Sequence, residues 1–390
     1  MNDATDLGAA FDLLAAYAPP DGVFFERGGL GVAGGSPRHR VSAREALARL
    51  RGPWPDGGVV VGALPYGSEP TPALSIPDQV VMRRVPGRAS FGVLGERGRT
   101  VFAPTRGGSP SHAFTALQRH DVPAPERYAG AVAEAVARIE AGELRKVVLA
   151  RTVEVEAGRE LDPRRLVQRL RAVDPAAYAF AMPTEGGVLV GASPELLVSR
   201  AGRVVRSNPL AGSAPRSGDP DEDRANGAAL AASGKDLEEH AIVVEAVAET
   251  LRPFCDDLSW DPEPVLLPTP NIWHLSTRFE GVLRDPPPSV LDLVLALHPT
   301  PAIAGTPTAA AVATIEELEP FARGAYAGPV GWMDVEGDGT WAIALRCAEL
   351  VGERAVLYSG AGIVAASDPS AEVDETERKF RAFLDALRWG

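Results

Sequence analysis

The stretch that decides the fold lies near the C-terminus, where residues 361–389 read AGIVAASDPSAEVDETERKFRAFLDALRW. A Gly-bounded apolar run ends in a cluster of Ser, Asp and Pro, and a helical pattern follows. Either Ser370 or Asp368 can cap this helix, and acidic residues fill its first turn, where the helix dipole favours them. Four apolar residues recur at helical spacing and predict a buried stripe: Phe380, Phe383, Leu384 and Leu387.

Charged side chains adjoin this stripe. Glu372, Glu375 and Lys379 stand at positions i, i+3 and i+7 and therefore share one face of the helix. At roughly 100° per residue, that face borders the apolar stripe. Taken alone, the pattern favours a solvated Glu–Lys pair on a surface helix. Residues upstream favour a second interpretation, in which these charges lie at the edge of the core and form part of a site.

Length and composition limit the possible classes of protein. The chain has 390 residues, above the size of about 250–300 residues at which one core usually stops growing. We therefore expect two domains or one large composite sheet structure. The net charge of -13 argues against nucleic acid or an anionic membrane as the main partner, so an anionic substrate would need a locally basic pocket.

Cysteine usage and the lack of export signals predict where in the cell the protein is located. The two cysteines, Cys255 and Cys347, are far apart and lack metal-ligand spacing. The first eleven residues do not have the pattern of a signal peptide, and no apolar run reaches 18 residues. We expect a protein of the reducing cytoplasm that does not cross a membrane.

Residues 1–125 carry few signals. Three runs between Gly and Pro breaks predict strands, at residues 22–27, 57–66 and 90–94. Residues 103–125 predict a surface segment with one short helix. A dinucleotide-binding GxGxxG pattern is matched by Gly29, Gly31 and Gly34, but the following SPRH does not open a helix. Tight turns between strands are the better interpretation.

Two ionisable residues stand where buried strands begin. Lys146 enters the β-branched run KVVLARTVEVE, after an amphipathic helix that stops at Gly142. A lysine at such a place is commonly an edge charge, and the functional alternative is a desolvated amine acting as a general base. Glu195 lies in a tight turn, SPE, after two paired strands. A turn glutamate is normally solvated, whereas one flanked by Pro and an apolar strand could be a general acid with a raised pKa.

A helix predicted over residues 235–251 carries a carboxylate on an apolar face. Glu239 is in register with Ile242 and Val243, away from the acidic strip that the helix presents to solvent. A carboxylate on a buried face needs a cation, a metal or hydrogen-bond donors. The residues alone leave a ligand-binding role and a structural role equally open.

Further candidates are His274 and Arg346. His274 lies on a strand predicted to run from residue 272 to 283. A satisfied core histidine is the commoner interpretation of this residue. Arg346 lies on a strand predicted over residues 341–346 that otherwise looks buried, which implies a paired anion from the protein or from a ligand. Two loops of small residues, 208–213 and 298–305, allow a ligand to approach the backbone closely. A helix is predicted after the second loop, over residues 308–318. Residues 216–227 have the composition of a polar, mobile segment.

Ten motifs follow one another along the chain: RKVVLAR, GASPELL, PLAGS, KDLEEH, IWHLST, HPTPAIAG, GAYAGPVGW, LRCAEL, GAGIV and DETERK. Together they resemble the chorismate-utilising enzymes, the family of isochorismate, salicylate, anthranilate and aminodeoxychorismate synthases. The resemblance covers about residues 125–390. It implies an α+β fold in which two large antiparallel β-sheets pack as a sandwich with helices outside, as in anthranilate synthase component I. Residues 1–125 would complete the sheets, and residues 126–390 would form one chorismate-binding catalytic region with one Mg²⁺.

Within the family, the motifs look most similar to isochorismate synthase, which replaces the C4 hydroxyl of chorismate by a water-derived hydroxyl at C2. By resemblance, Lys146 is the base that activates water and Glu195 is the acid for the leaving hydroxide. Glu239 and Glu375 would bind Mg²⁺, with Glu372 acting through a metal-bound water. The other predicted residues would bind the substrate: Gly212, His274, Ala302, Tyr326, Arg346, Gly360 and Lys379.

A few positions separate this activity from related ones. Amine-using members generally carry glutamine where this chain has Lys146. Tyr326 and Leu345 resemble salicylate synthases, whereas Ala302 resembles isochorismate synthases, so isomerisation is preferred and salicylate formation is the alternative. GASPELL is more similar to siderophore-type than to menaquinone-type enzymes, and a non-catalytic chorismate-binding relative is a further alternative. Because water is the predicted nucleophile, no glutamine amidotransferase subunit is expected, and we expect a monomer.

Overall fold

The computed structural model describes residues 5–6, 12–50, 58–67, 71–85, 88–93 and 118–388. The described residues before residue 125 lie mainly in strands, in agreement with the Gly- and Pro-bounded apolar runs of the sequence. Its elements are β1 (Thr5–Asp6), β2 (Val23–Arg27), β3 (Leu30–Gly34), β4 (Pro37–Val41), α1 (Ala43–Leu50), β5 (Val59–Ala63), β6 (Leu74–Pro77), β7 (Gln79–Val85), β8 (Arg88–Val93) and β9 (Gln118–Val122).

Helices and strands are interspersed in the rest of the chain. The first half of this part contains α2 (Pro125–Glu140), β10 (Lys146–Glu156), α3 (Pro163–Val173), β11 (Tyr178–Pro183), β12 (Val188–Ser193), β13 (Leu196–Ala201), β14 (Val204–Asn208), β15 (Leu210–Pro215), α4 (Pro220–Ala232) and α5 (Gly234–Leu251). The second half contains β16 (Cys255–Trp260), β17 (Val265–Pro268), β18 (Ile272–Ser276), β19 (Phe279–Leu283), α6 (Val290–Leu297), β20 (Gly305–Thr306), α7 (Thr308–Leu318), β21 (Pro329–Asp334), β22 (Gly339–Ile343), β23 (Cys347–Val351), β24 (Arg354–Ile363) and α8 (Pro369–Arg388).

The strands of the described residues pair antiparallel in three sheets. The first sheet has twelve strands in the order β1-β8-β7-β3-β2-β11-β12-β23-β24-β10-β20, with β9 also paired to β10. The second has nine, in the order β16-β19-β14-β13-β22-β21-β5-β6-β4. A small third sheet has the order β15-β18-β17. Strands from before residue 125 therefore take part in both large sheets.

Two apolar cores hold these layers together. The larger core joins the two large sheets and includes Val147 from the first and Trp341 from the second, both fully buried. The other core packs α3 and α8 against the first sheet and includes Leu166 and Phe380. The arrangement confirms the predicted α+β fold, a sandwich of two antiparallel sheets with helices outside.

Several elements lie where the sequence predicts them. The helix α7 matches its predicted bounds, the three predicted N-terminal strands correspond to β2, β5 and β8, and the GxGxxG pattern falls in the β2–β3 hairpin. In α8 the cap is Asp368, whose Oδ1 accepts a hydrogen bond from the Ala371 N–H at 2.9 Å. Of the predicted surface segment 103–125, residues 103–117 lie outside the described residues.

Other expectations are wrong in informative ways. The segment 208–213, expected to be a loop, contains the start of β15. Gly212 forms a bulge in this strand, opposite β18, with a φ of +74° that suits glycine. The expected mobile segment 216–227 runs into α4, which Asp219 caps ahead of a proline at the first helical position. The strand expected from residue 272 to 283 divides into β18 and β19, which belong to different sheets.

Candidate active site

A cavity lies where the small sheet, α5 and α8 meet the ends of β10, β12 and β24. Nine of the twelve predicted site residues line it: Glu195, Gly212, Glu239, His274, Ala302, Arg346, Gly360, Glu375 and Lys379. The other three, Lys146, Tyr326 and Glu372, lie behind this lining. The fold therefore brings together predicted site residues that lie up to 233 positions apart in the sequence.

Lys146 is buried beneath the cavity and pairs with Glu239. The lysine is 0% exposed, and its Nζ lies 2.9 Å from Glu239 Oε1. Among the described residues, this buried ammonium has no acceptor in hydrogen-bonding geometry, so the ion pair leaves its N–H groups unsatisfied. The edge-charge interpretation of Lys146 is therefore wrong. The predicted apolar face of α5 does bury Glu239 beside Ile242 and Val243.

Gly362 allows the Glu239 carboxylate to reach this position. A Cβ at residue 362 would lie 2.2 Å from Glu239 Oε1 and 3.1 Å from Lys146 Cε. Both distances are shorter than ordinary van der Waals contact. Sequence analysis missed this residue, although it belongs to the GAGIV motif.

Glu195 is a buried carboxyl in the turn between β12 and β13. Burial raises its pKa to about 7, against the opposing charges of Lys146 and Arg346. At neutral pH a substantial fraction of this group therefore carries a proton. Such a carboxyl can donate a proton to a leaving group, as a general acid requires.

Two carboxylates of α8 are paired with lysines. Lys379 Nζ lies 2.6 Å from Glu375 Oε1 and also donates to the Gly360 carbonyl at 2.8 Å. Glu372 Oε1 accepts from Lys235 Nζ of α5 at 2.9 Å. Burial raises the pKa of Glu372, and the charge of Glu375 adds to this. For Glu375, burial acts in the same direction, but Lys379, Ser213 and Lys235 together outweigh it and lower the pKa. The predicted Glu–Lys pair exists, but it lies at the cavity and not in solvent.

His274 holds Arg346 in place. Arg346 Nη2 lies 3.1 Å from His274 Nε2, and His274 Nδ1 lies 3.2 Å from the Gly212 carbonyl oxygen. Because arginine can only donate, Nε2 is the acceptor and Nδ1 carries the proton. Burial, together with the charges of Arg346 and Lys379, lowers the pKa of His274 to about 3, so the ring stays neutral. The expectation of a strand at Arg346 is wrong, since it lies between β22 and β23 with a φ of +49°.

Tyr326 lies behind Gly360. Its ring stacks on Tyr358 with a centroid distance of 5.0 Å, and a Cβ at residue 360 would lie 3.0 Å from the Tyr326 hydroxyl. Burial raises the pKa of Tyr326, so the hydroxyl stays protonated. This residue therefore shapes the wall of the cavity from behind and does not line it.

A buried Arg–Glu pair connects several walls of the cavity. Arg323 donates to Glu319 through Nε at 2.9 Å and through Nη2 at 2.6 Å. It also donates to the carbonyls of Ile303 and Val148, at 2.8 and 2.7 Å. Glu319 in turn accepts from the Ala150 N–H at 2.7 Å. The pair fixes the 298–305 loop against β10, and the sequence analysis gave it no role because its partners are distant along the chain.

Residues 97–388 match the family model described as "Chorismate binding enzyme". This range covers well over half of the chain and includes every predicted site residue. The chain belongs to the chorismate-binding enzymes. Among the described residues of this chorismate-binding enzyme, no helix is long and apolar enough to cross a membrane.

Curated relatives of this chorismate-binding enzyme carry the name isochorismate synthase. Isochorismate synthase DhbC of Bacillus subtilis is 41% identical over 350 residues, which are 88% of this chain and 84% of the relative. A Mycobacterium tuberculosis protein assigned as isochorismate synthase MenF is 42% identical over 381 residues, 95% of this chain and 96% of that protein.

Solved structures confirm the fold assignment. The structure of DhbC from Bacillus anthracis, assigned as a 2,3-dihydroxybenzoate-specific isochorismate synthase, matches with a TM-score of 0.84 and 37% identity over 97% of this chain and 99% of that one. Anthranilate synthase component I from Streptococcus pneumoniae matches with a TM-score of 0.74 at 21% identity, over 94% of this chain and 93% of that one. The second likeness shows a shared fold.

Proposed function

We propose that this enzyme is an isochorismate synthase, which interconverts chorismate and isochorismate. The observation that carries the proposal is the presence at one cavity of a fully buried amine, Lys146, and a buried carboxyl, Glu195, whose pKa is raised to about 7. Such a pair can take up one proton and deliver another in a single turnover. The similarity to relatives named isochorismate synthase supports the same activity.

The proposed reaction exchanges one hydroxyl for another. In this step Lys146 acts in its neutral amine form: it accepts a proton from a water molecule, and the oxygen of that water bonds to C2 of the ring. The ring double bonds shift and the bond between C4 and its hydroxyl oxygen breaks. Glu195 donates its proton to the departing hydroxide, which leaves as water. One water enters and one leaves, so the product is an isomer, and the same two groups serve the reverse reaction.

Arg346 and Lys379 are proposed to bind the carboxylates of the substrate. Both line the cavity, and each is already oriented, Arg346 by His274 and Lys379 by the Gly360 carbonyl. A guanidinium can grip a carboxylate with two parallel hydrogen bonds, whereas an ammonium acts as a point charge. The small residues Gly212 and Ala302 leave room for a ring beside the backbone.

We propose Mg²⁺ as the cofactor, bound by Glu239 and Glu375, with Glu372 acting through a water. The three side chains offer the hard oxygen ligands that Mg²⁺ prefers, and the repulsion between Glu372 and Glu375 is of the kind that a cation relieves. Within the described ranges no three acidic, His or Cys side chains form a metal-holding cluster, and each of these glutamates pairs with a lysine. When bound, Mg²⁺ would supply positive charge for the ring carboxylate.

The cellular role is also a proposal. We propose that the product serves siderophore synthesis through 2,3-dihydroxybenzoate or salicylate, which is supported by the similarity to DhbC proteins. Both cysteines, Cys255 and Cys347, are free and buried, which supports a cytoplasmic location. We further propose that the enzyme acts as a monomer without an amidotransferase subunit, since water is the nucleophile.

The test is incubation of the purified protein with chorismate, with and without Mg²⁺, followed by chromatographic separation of the products. We expect isochorismate without pyruvate, approaching a reversible mixture that depends on Mg²⁺.

The Lys146→Gln variant should lose about 10²–10⁴-fold in rate. The matched control is Arg206→Met, which removes one charge from an exposed ion pair with Glu280 on the second sheet. Salicylate with equimolar pyruvate would establish the alternative activity, and no turnover by the wild type would refute both.

A further inference from the structure

The lysine content of the chain singles out a residue to which the proposed reaction gives no role. The sequence contains 39 Lys and Arg residues, and three of them are lysines: Lys146, Lys235 and Lys379. All three pair with glutamates that the sequence predicts as magnesium ligands. Each pairs with a different glutamate, at Nζ–Oε distances of 2.9 Å (to Glu239), 2.9 Å (to Glu372) and 2.6 Å (to Glu375). At every other basic position the chain uses arginine.

Lys235 joins the two helices that carry the acidic residues. It lies in the first turn of α5, and its partner Glu372 lies in α8. The Glu372 side chain is 2% exposed, whereas that of Lys235 is 31% exposed. Lys235 also interacts electrostatically with Glu239 and Glu375. Lys235 is therefore the most exposed of the three lysines, since Lys146 is 0% and Lys379 is 12% exposed.

An arginine would serve this position differently. A guanidinium is a planar fork that can hold a carboxylate through two bonds, whereas an ammonium is a compact point charge on a flexible stem. Lys235 makes one bond to Glu372 Oε1 and has a route into solvent. In a chain that otherwise uses arginine, a lysine here indicates a contact that can be broken. The other two lysines have no such route, since Lys146 is fully buried and Lys379 is also bonded to a backbone carbonyl.

We propose that Lys235 is a displaceable counter-ion, which neutralises Glu372 until a divalent cation binds the glutamates and then moves into solvent. The inference rests on the proposed Mg²⁺ site and adds a competitor for it. Without such a counter-ion, the buried Glu372 would have no cation partner and would be repelled by Glu375 in the metal-free protein. With a cation that could not leave, the metal would be excluded.

Two substitutions should shift Mg²⁺ affinity in opposite directions. Lys235→Met removes the competitor, so the dissociation constant for Mg²⁺ should fall about fivefold or more, within the usual range of coupling between sites. Lys235→Arg installs a more persistent competitor, so the constant should rise by a similar factor. Isothermal titration calorimetry with Mg²⁺ alone measures both, with Arg206→Met as the control that loses a charge elsewhere.

Thermal unfolding provides a second readout. Lys235→Met should melt at a lower temperature than the wild type without Mg²⁺ and regain the difference at saturating Mg²⁺, because ligand binding to the folded state adds stability. Weaker Mg²⁺ binding in both Lys235 variants, or unchanged binding in both, would overturn the inference and leave Mg²⁺ as the cofactor. No Mg²⁺ binding by the wild type would overturn the proposed cofactor itself, and the inference with it.

Discussion

Replacing Gly362 by alanine tests the most crowded point of the site. The added Cβ would lie 2.2 Å from Glu239 Oε1 and 2.9 Å from Glu239 Cδ. Gly362 has no left-handed backbone conformation, so alanine fits the strand and the effect is steric. The Glu239 carboxylate must retreat by about 1 Å to restore ordinary contact distances. That movement would stretch its 2.9 Å ion pair with Lys146.

The expected loss follows from this displacement. A misplacement of about 1 Å at a reacting site can cost on the order of 10²-fold in rate, so kcat/KM for chorismate should fall about 100-fold. The free energy of unfolding should change by less than about 1 kcal/mol, because the displaced atoms are the far end of a flexible side chain. Initial rates of isochorismate formation at saturating Mg²⁺, together with urea unfolding, measure the two quantities.

Gly130→Ala is the matched control. Gly130 lies on the exposed side of α2, and a Cβ there would meet nothing within 4 Å. Its activity should be unchanged, and its stability should rise by about 0.5–1 kcal/mol because the helix gains propensity. A folded Gly362→Ala enzyme with activity within threefold of the wild type would refute the reasoning, since the carboxylate position would then not matter.

Three further outcomes are expected. Glu195 has a pKa of about 7 and must be protonated to act as an acid, so kcat/KM should fall about tenfold per pH unit above about pH 7. A plot of kcat/KM against pH that stays flat to pH 9 would exclude this role. His274→Leu removes the acceptor that orients Arg346, so the KM for chorismate should rise about tenfold with a smaller change in kcat, and steady-state kinetics decide between this and a general-acid role. Arg323→Met removes the cation that pairs with the buried Glu319, so the free energy of unfolding should fall by about 3–5 kcal/mol, as measured by urea unfolding. A loss below about 1 kcal/mol would show that the pair is well hydrated.

Local patterns predicted those elements whose signals lie within one segment of the chain. The helix α7 could be placed because its periodicity and flanking Pro residues act within one segment. The two strands β18 and β19 could not be separated, because the chain changes sheet at Thr277 and Arg278 without a Gly or Pro break. Strand partners are set by the whole topology, and a continuous apolar run does not contain that information.

The site was predicted where side-chain chemistry conflicts with a local pattern. Glu239 stood out because a carboxylate interrupts an apolar helix face, and the structure buries it as expected. Lys235 and Gly362 were missed, because neither conflicts with its surroundings in sequence. Their significance comes from Glu372 and Glu239, which lie more than a hundred residues away along the chain.

The helix α8 serves stability and the site at once. Its stripe of Phe380, Phe383 and other apolar residues packs against the first sheet, and the same helix directs Glu375 and Lys379 into the cavity. A rotation of the helix by one residue position would turn the charged face by about 100°. Substitutions in the apolar core between α8 and the first sheet would therefore also move Glu375 and Lys379 relative to the cavity. Stabilising substitutions are better placed at the exposed edges of the second sheet, where they leave the interface of α8 unchanged.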